Sequence, residues 1–494
     1  MSPAKAAVAS GRRARSHGQE LAMPVKDAPV SGVWTEFGRA LRHCRRRAGL
    51  TQHQLGLRLG YHHSVVSKWE SGKRELPASL VRRLDAVLGA GGELSAIAAG
   101  AHGSPAGWPG GSPRDAASLF LPVPGERRQP RPLGPLGVDD WPARLSVQGP
   151  RCPLHARVDC AVPALGETRA LLARVDRAAE DRRPVASDPD TVHGLAGLLS
   201  AQVRLSTAAT PTAALVSTVE RVLRAVVAWA EAVHVAGTFP IAQLRLAADY
   251  AQLAGRLRME RGQSAIAMAW FCHGLRWAQS SDDVVARGIL PSDLSTLARI
   301  DGDPTAALGY AQTIAAVDSG RGWIMTLTHA YQARAYAALG DGSQTRRQAA
   351  LARRRLEALG PRDEAEAPWL CGAEGLVRVE SAVGGALRDL AAATGDPATA
   401  RDAAAATADS LAQLAPRMTL AHLLLTTRLA DCHACAGDPD AALAVVEPVL
   451  EQAGRARQVT ISRELRGLAA RLGARWGELR AVRDFAERLR AVEG

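Results

Sequence analysis

Apolar residues recur every three or four positions over most of the chain, and they nowhere alternate with polar ones in a sustained strand pattern. That period predicts helices and no sheet. The patterning is dense over residues 33–99. A first helix from about Trp34 to Ala48 puts Phe37, Leu41 and Cys44 on one face, and Gly49 ends it. Thr51 is placed to cap a second helix through Gln52, Leu55 and Leu59, which stops at Gly60. A tight corner leads into HSVVSKWE, with Val66 and Trp69 facing inward. Ser71-Gly72 close that helix, and Lys73-Arg74 open an exposed basic loop that runs to Pro77. The segment SLVRRLDAVL then buries Leu80, Leu84 and Val87, and a short helix through Leu94 and Ile97 completes a small five-helix core.

From residue 166 to 494 the chain is rich in Ala, Leu and Arg with the same period, as in Val222, Val226, Trp229 and Val233. Weak internal repeats punctuate it. A Gly, often followed by Asp and Pro, separates two helices at Gly262, Gly302-Asp303-Pro304, Gly340-Asp341, Gly395-Asp396-Pro397 and Gly437-Asp438-Pro439. The glycine supplies a left-handed helix end, the aspartate caps the next helix, and the proline suits its first position. Five residues after the glycine comes Ala267, Ala307, Ala400 or Ala442, small enough for close helix packing, whereas the Gly340 copy has Thr345. The spacings of 40, 38, 55 and 42 residues are irregular and exceed a tetratricopeptide (TPR) repeat, but stacked helix pairs, a TPR-like α-solenoid, fit better than a plain bundle. The expected fold class is therefore all-α. Residues 1–32 read as a disordered basic arm, with translation from Met23 as an alternative start, and 100–165 as a Pro/Gly-rich linker.

Charge changes this picture more than composition does. The 494 residues carry a net +12, yet residues 1–100 hold 16 Lys+Arg against 7 Asp+Glu, and the rest is nearly balanced. A small basic region on a large neutral body points to a polyanion-binding module. Aromatics are only 4%, so the core rests on Ala, Leu and Val. No apolar run approaches the ~20 residues of a membrane span, and no secretory signal is evident. Seven Cys do not make a disulfide scaffold and suggest a reducing, cytoplasmic setting. No P-loop, dinucleotide fingerprint, metalloprotease motif or nucleophile elbow appears in a credible context, so no enzyme is expected.

GLTQHQLGLRLGYHHSVVSKWESGKRELP resembles the helix-turn-helix of the Cro/C1-type (XRE) repressor family, through LTQ, Leu55, Leu59-Gly60, Val66-Ser67, Trp69-Glu70 and Gly72-Lys73. The remainder is similar, more loosely, to bacterial regulators that carry this domain before a TPR-like helical body. The resemblance implies that the third helix enters the DNA major groove. His62, His63, Ser64 and Lys68 would then contact base edges. Gln52, Lys73 and Arg74 would contact phosphates, Gln52 also bracing the recognition helix. Arg45 and Glu70 would form a partly buried structural ion pair. The residue types suit these roles, since Lys and Ser pair with base edges and basic loops neutralise phosphates. Gly56 replaces the family's usual Ala, and His62 and His63 replace smaller polar residues, so no operator sequence carries over. The implied function is a sequence-specific, cytoplasmic, nucleoid-associated transcriptional regulator, a homodimer on a double-stranded operator. Its body would sense or dock a peptide or protein. The alternative is an interaction scaffold with only non-specific DNA binding.

Two cysteine groups invite other chemistry. Cys432-His433-Ala434-Cys435 sits in an Ala-rich helix, where small buried residues are the simpler reading. Cys152, His155 and Cys160 offer three zinc ligands with no obvious fourth nearby, so no metal and no cofactor is expected. Trp270, Phe271 and Trp277 read as core, with an aromatic peptide groove as the alternative.

Overall fold

The computed structural model describes residues 32–59, 63–72, 76, 78–90, 92–101, 141–146, 149–181, 188–208 and 213–493. All elements in them are helical except one isolated bridge between Arg144 and Ala161. The chain divides into two compact units, Met1–Ser112 and Pro113–Gly494.

The first unit comprises α1 (Gly32–Arg47), α2 (Gln52–Leu59), α3 (His63–Glu70), α4 (Ala78–Leu88) and α5 (Glu93–Ala101). Trp34, Phe37, Leu41 and Cys44 form the buried stripe of α1 and meet Leu55, Leu59, Val66 and Trp69. Arg45, Arg46 and Arg47 occupy the last turn of α1, where positive charge complements the helix dipole. Thr51 caps α2 as a reciprocal box: Gln54 N–H donates to Thr51 Oγ1 (3.2 Å) and Thr51 N–H to Gln54 Oε1 (2.9 Å). On α4 the buried stripe is Leu80, Val81, Leu84 and Leu88, and Val87 is only half-buried. The pattern reading was rotated there by one residue, as it was on α5, where Ala98 is buried and Ile97 half-buried.

The second unit runs through α6 (Leu165–Asp181), α7 (Pro189–Ala208), α8 (Ala213–Val235), α9 (Ile241–Glu260), α10 (Ser264–Ser280), α11 (Val284–Ile300), α12 (Pro304–Ala315), α13 (Gly322–Ala338), α14 (Gly342–Glu357), α15 (Pro361–Glu366), α16 (Gly372–Thr394), α17 (Pro397–Ala412), α18 (Thr419–Ala436), α19 (Pro439–Val446), α20 (Leu450–Arg455), α21 (Val459–Trp476) and α22 (Arg480–Glu493). The five punctuating glycines all have positive φ, between 69° and 95°. Asp303, Asp341, Asp396 and Asp438 each accept N–H bonds from the first turn of the following helix. Ala267, Ala307, Ala400 and Ala442 are buried at the crossings, and Thr345 is buried too, its hydroxyl donating to Asp341 O at 2.7 Å. One turn of the same kind carries no glycine. Asp282 takes the left-handed conformation itself (φ 49°) and Asp283 caps α11. The apolar core is a succession of clusters along the chain rather than a single ball.

Residues 141–163, expected to belong to the linker, instead fold onto this unit. Leu145, Cys152 and Cys160 are buried in its first core cluster, and Trp141 Nε1–H donates to Pro163 O at 2.9 Å. Pro and Gly are as frequent in a tight, irregular knuckle as in a linker, so composition did not separate the two. Residues 1–31 and 102–140 lie outside the described residues.

Candidate nucleic-acid interface

The first unit is organised around a carboxylate. Glu70, the last residue of α3, has no exposed side-chain surface, and Arg45 beside it keeps 10%. Arg45 Nε–H donates to Glu70 Oε1 (2.5 Å) and its terminal nitrogen to Oε2 (3.1 Å). The other terminal nitrogen of Arg45 donates to Leu50 O at 2.7 Å. Gln52 Nε2–H (2.8 Å) and the more exposed Arg42 Nε–H (3.3 Å) complete the set on Oε2. Burial opposes ionisation of Glu70, but the hydrogen bonds from Arg45, Gln52 and Arg42 outweigh it, and its carboxyl titrates below the ordinary glutamate value. This one knot joins the end of α1, the α1–α2 turn, the start of α2 and the end of α3.

Backbone contact reinforces it. A Cβ on Gly38 would lie 2.6 Å from Glu70 O and 2.8 Å from Trp69 O, so α1 and the end of α3 touch where only glycine fits. With Val66 and Trp69 inward, Ser67 and Lys68 point to solvent. Arg39, Arg46, Arg47 and Arg58 are exposed cations of the same unit. Lys68 thus stands outward on α3, and Gln52 opens α2 with its amide on Glu70. His63 and Ser64 open α3, but their side chains, together with the whole of His62, Lys73 and Arg74, lie outside the described residues. The sequence reading missed Arg42 as a third donor to Glu70. It also missed Asp85, whose carboxylate on α4 accepts from Leu94 N–H (3.0 Å) and Ser95 N–H (2.9 Å) and so caps α5. Neither has a local signal, because each partner is remote in sequence.

Residues 36–96 match the family described as helix-turn-helix domain. This is a DNA-binding module. The matched segment runs from α1 into α5 and contains the whole knot around Glu70. No curated protein matches the chain. No helix among the described residues is long and apolar enough to cross a membrane.

Beyond the helix-turn-helix unit, the second unit holds a cavity of about 360 Å³. Arg245, Arg256 and Arg378 line it with Asp249, Asp283 and Trp369. Arg378 stacks over the Trp369 ring, 4.8 Å from its centroid. Burial, then repulsion from Asp283, pushes the Asp249 carboxyl well above its usual range. Trp270, Phe271 and Trp277 are fully buried, and Trp270 Nε1–H donates to Glu220 Oε1 at 2.9 Å. They are core side chains and line no groove. Burial raises the Cys432 thiol to about 12 and the Cys435 thiol to about 11, which makes both poor nucleophiles. For Cys152, His155 and Cys160 the expectation of no fourth donor is corrected. His193 of α7, remote in sequence, lies beside them.

Proposed function

We propose that this protein is a sequence-specific transcriptional regulator of the Cro/C1 (XRE) kind. The N-terminal residues of α3, with Lys68, read base edges in the major groove, and Gln52, Lys73 and Arg74 hold phosphates. The observation that supports this best is the knot on Glu70. It fixes α3 against α1 and α2 through buried contacts, and Ser67 and Lys68 of the same helix are exposed to solvent. A helix that reads DNA needs that rigidity, because base-edge hydrogen bonds tolerate little displacement.

The second unit in this reading is a TPR-like solenoid that senses or docks a partner and presents two DNA-binding units as a homodimer. Two considerations favour it. One small unit reads few base pairs, so specificity normally needs two half-sites about one helical turn apart. The cavity is also within the ~300–1,000 Å³ usual for small-molecule sites, with several charged groups converging on it. An effector bound there regulates only if it has different affinities for two arrangements of the protein. The protein performs no catalysis in this reading.

Selection from random-sequence DNA followed by footprinting tests the proposal. A defined, two-fold symmetric protected site is expected, and protection of no defined sequence would make the protein a non-specific binder. Lys73→Ala should weaken binding to all sequences and flatten the log–log salt dependence by about 0.9, the contribution of one phosphate contact. An unchanged slope removes Lys73 from the phosphate contacts.

A further inference from the structure

We propose that Cys152, His155, Cys160 and His193 form a tetrahedral zinc site that fastens the 141–163 segment to α7. One ligand atom from each of the four lies within 4.8 Å of all the others. His155 Nδ1 is 3.5 Å from Cys152 Sγ and 3.3 Å from Cys160 Sγ. Zinc–sulfur bonds of ~2.3 Å and zinc–nitrogen bonds of ~2.0–2.1 Å give a tetrahedron with edges of roughly 3.3–3.8 Å. The four donors are therefore within a small contraction of the coordination sphere.

Three further features point the same way. First, His193 Nε2 is buried with no hydrogen-bond partner, although a buried ring nitrogen ordinarily has one. Its ring faces that of His155 at 5.3 Å between centroids. Second, the backbone between the loop ligands is held in conformations that side chains disfavour. Ala156 (φ 50°) and Asp159 (φ 67°) both lie in the left-handed region. Cys152 O accepts from Ala156 N–H (2.8 Å), and Cys160 O accepts from Leu145 N–H (2.9 Å), so the two cysteines sit at the two ends of a closed knuckle. Third, the knuckle has little core of its own. Leu145, Pro153 and the two cysteines are its buried side chains among the described residues. So small an irregular segment gains from a cross-link or a metal in addition to its packing on the second unit.

The chemistry selects the ion. Two thiolates and two neutral imidazoles suit zinc in both softness and geometry, and they neutralise its two charges in a partly buried setting. Binding releases one proton from each thiol to solvent and leaves the histidines neutral. All four protein ligands close the shell, which marks a structural site rather than a catalytic one. The contact is close on the α7 side as well: a Cβ on Gly197 would come within 2.3 Å of Val162 Cγ1. The same knuckle supplies Arg151, Cys152 and Pro153 to the wall of the cavity, and Arg245 donates to Pro153 O at 3.2 Å. Metal loading would then hold one wall of that cavity in place.

The test is elemental analysis of the purified full-length protein. One zinc per chain is expected, falling to less than a tenth in Cys160→Ser and in His193→Gln, and unchanged in Cys432→Ser. So that the result does not depend on the folding of those variants, the wild-type protein is also treated with chelator and titrated with Co²⁺. A single equivalent should produce tetrahedral d–d bands and a thiolate charge-transfer band. Cys152 and Cys160 should resist alkylation until the chelator is added. Absence of zinc together with no cobalt spectrum overturns the proposal. So does a mass two hydrogens low with both thiols unreactive, which would mean a Cys152–Cys160 disulfide instead.

Discussion

In the helix-turn-helix unit a single carboxylate, Glu70, collects Arg42, Arg45 and Gln52, and so ties three helices at one point. In the body, Arg334, Arg388, Arg428 and Arg471 share Asp389, Asp431 and Glu464 across α13, α16, α18 and α21. The first arrangement concentrates buried charge at one knot beneath one core. The second gathers charge around Arg388, which pairs with all three acids, and joins helices that belong to different apolar cores. A knot gives a recognition helix one fixed pose, and the whole unit then depends on it. A body whose helix pairs leaned chiefly on their neighbours would lose contacts locally.

The largest expected effect breaks the knot. Glu70→Ala leaves Arg45 buried without its carboxylate and should cost about 3–5 kcal/mol. Calorimetry should show the N-terminal transition moving down sharply while the transition of the body stays put. A loss under ~1 kcal/mol would mean that the pair behaves as an exposed one. Gly38→Ala comes next. Its Cβ collides with backbone rather than with a flexible side chain, so overpacking of about 1–3 kcal/mol should fall on the same transition.

Acid sharpens the contrast. Glu70 titrates below its ordinary value in the folded unit, so the unfolded chain takes the proton first, at about pH 4.3. The knot's contribution is complete above that pH and is lost as pH falls through the folded-state value. The stability of the N-terminal unit, from denaturant melts between neutral pH and pH ~3, should fall steeply with pH in the wild type and less steeply in Glu70→Gln. Equal slopes in the two proteins would assign the acid sensitivity to other groups.

The smallest effect belongs to the body. Asp438→Ala removes the cap on α19, where Asp438 accepts from Ala441 N–H at 2.9 Å, and should cost about 1 kcal/mol. Hydrogen exchange should rise around residues 437–446 and remain unchanged near α9. Exchange rising throughout the second unit would show one cooperative body instead of a serial one.

The same contrast explains what the sequence revealed. The helix-turn-helix unit is written in residues at fixed local offsets, from Leu50-Thr51-Gln52 through Trp69-Glu70, so its elements and most of its core were legible. The Gly-Asp-Pro turns of the body were legible for the same reason, since each is a local capping device. The Asp282 turn was not, because aspartate replaced the expected glycine in the left-handed position. His193 was missed as a partner for Cys152, His155 and Cys160 because α7 brings it in from 33 residues beyond Cys160. The cavity was missed likewise: Arg245, Asp283 and Arg378 converge only through tertiary packing. Local chemistry can be read from a chain directly, whereas constellations drawn from separate helices cannot.

Whether α3 reads DNA sequence from a rigid pose is decided by footprinting the full-length protein and Lys68→Ala on the selected site. The wild type should protect a defined sequence. Lys68→Ala should keep its folded stability and salt slope but lose about 1–3 kcal/mol of preference at one base position in each half-site. A variant that weakens binding equally on every sequence, or leaves the base preference unchanged, would contradict the assignment of Lys68 and the placement of α3 in the groove.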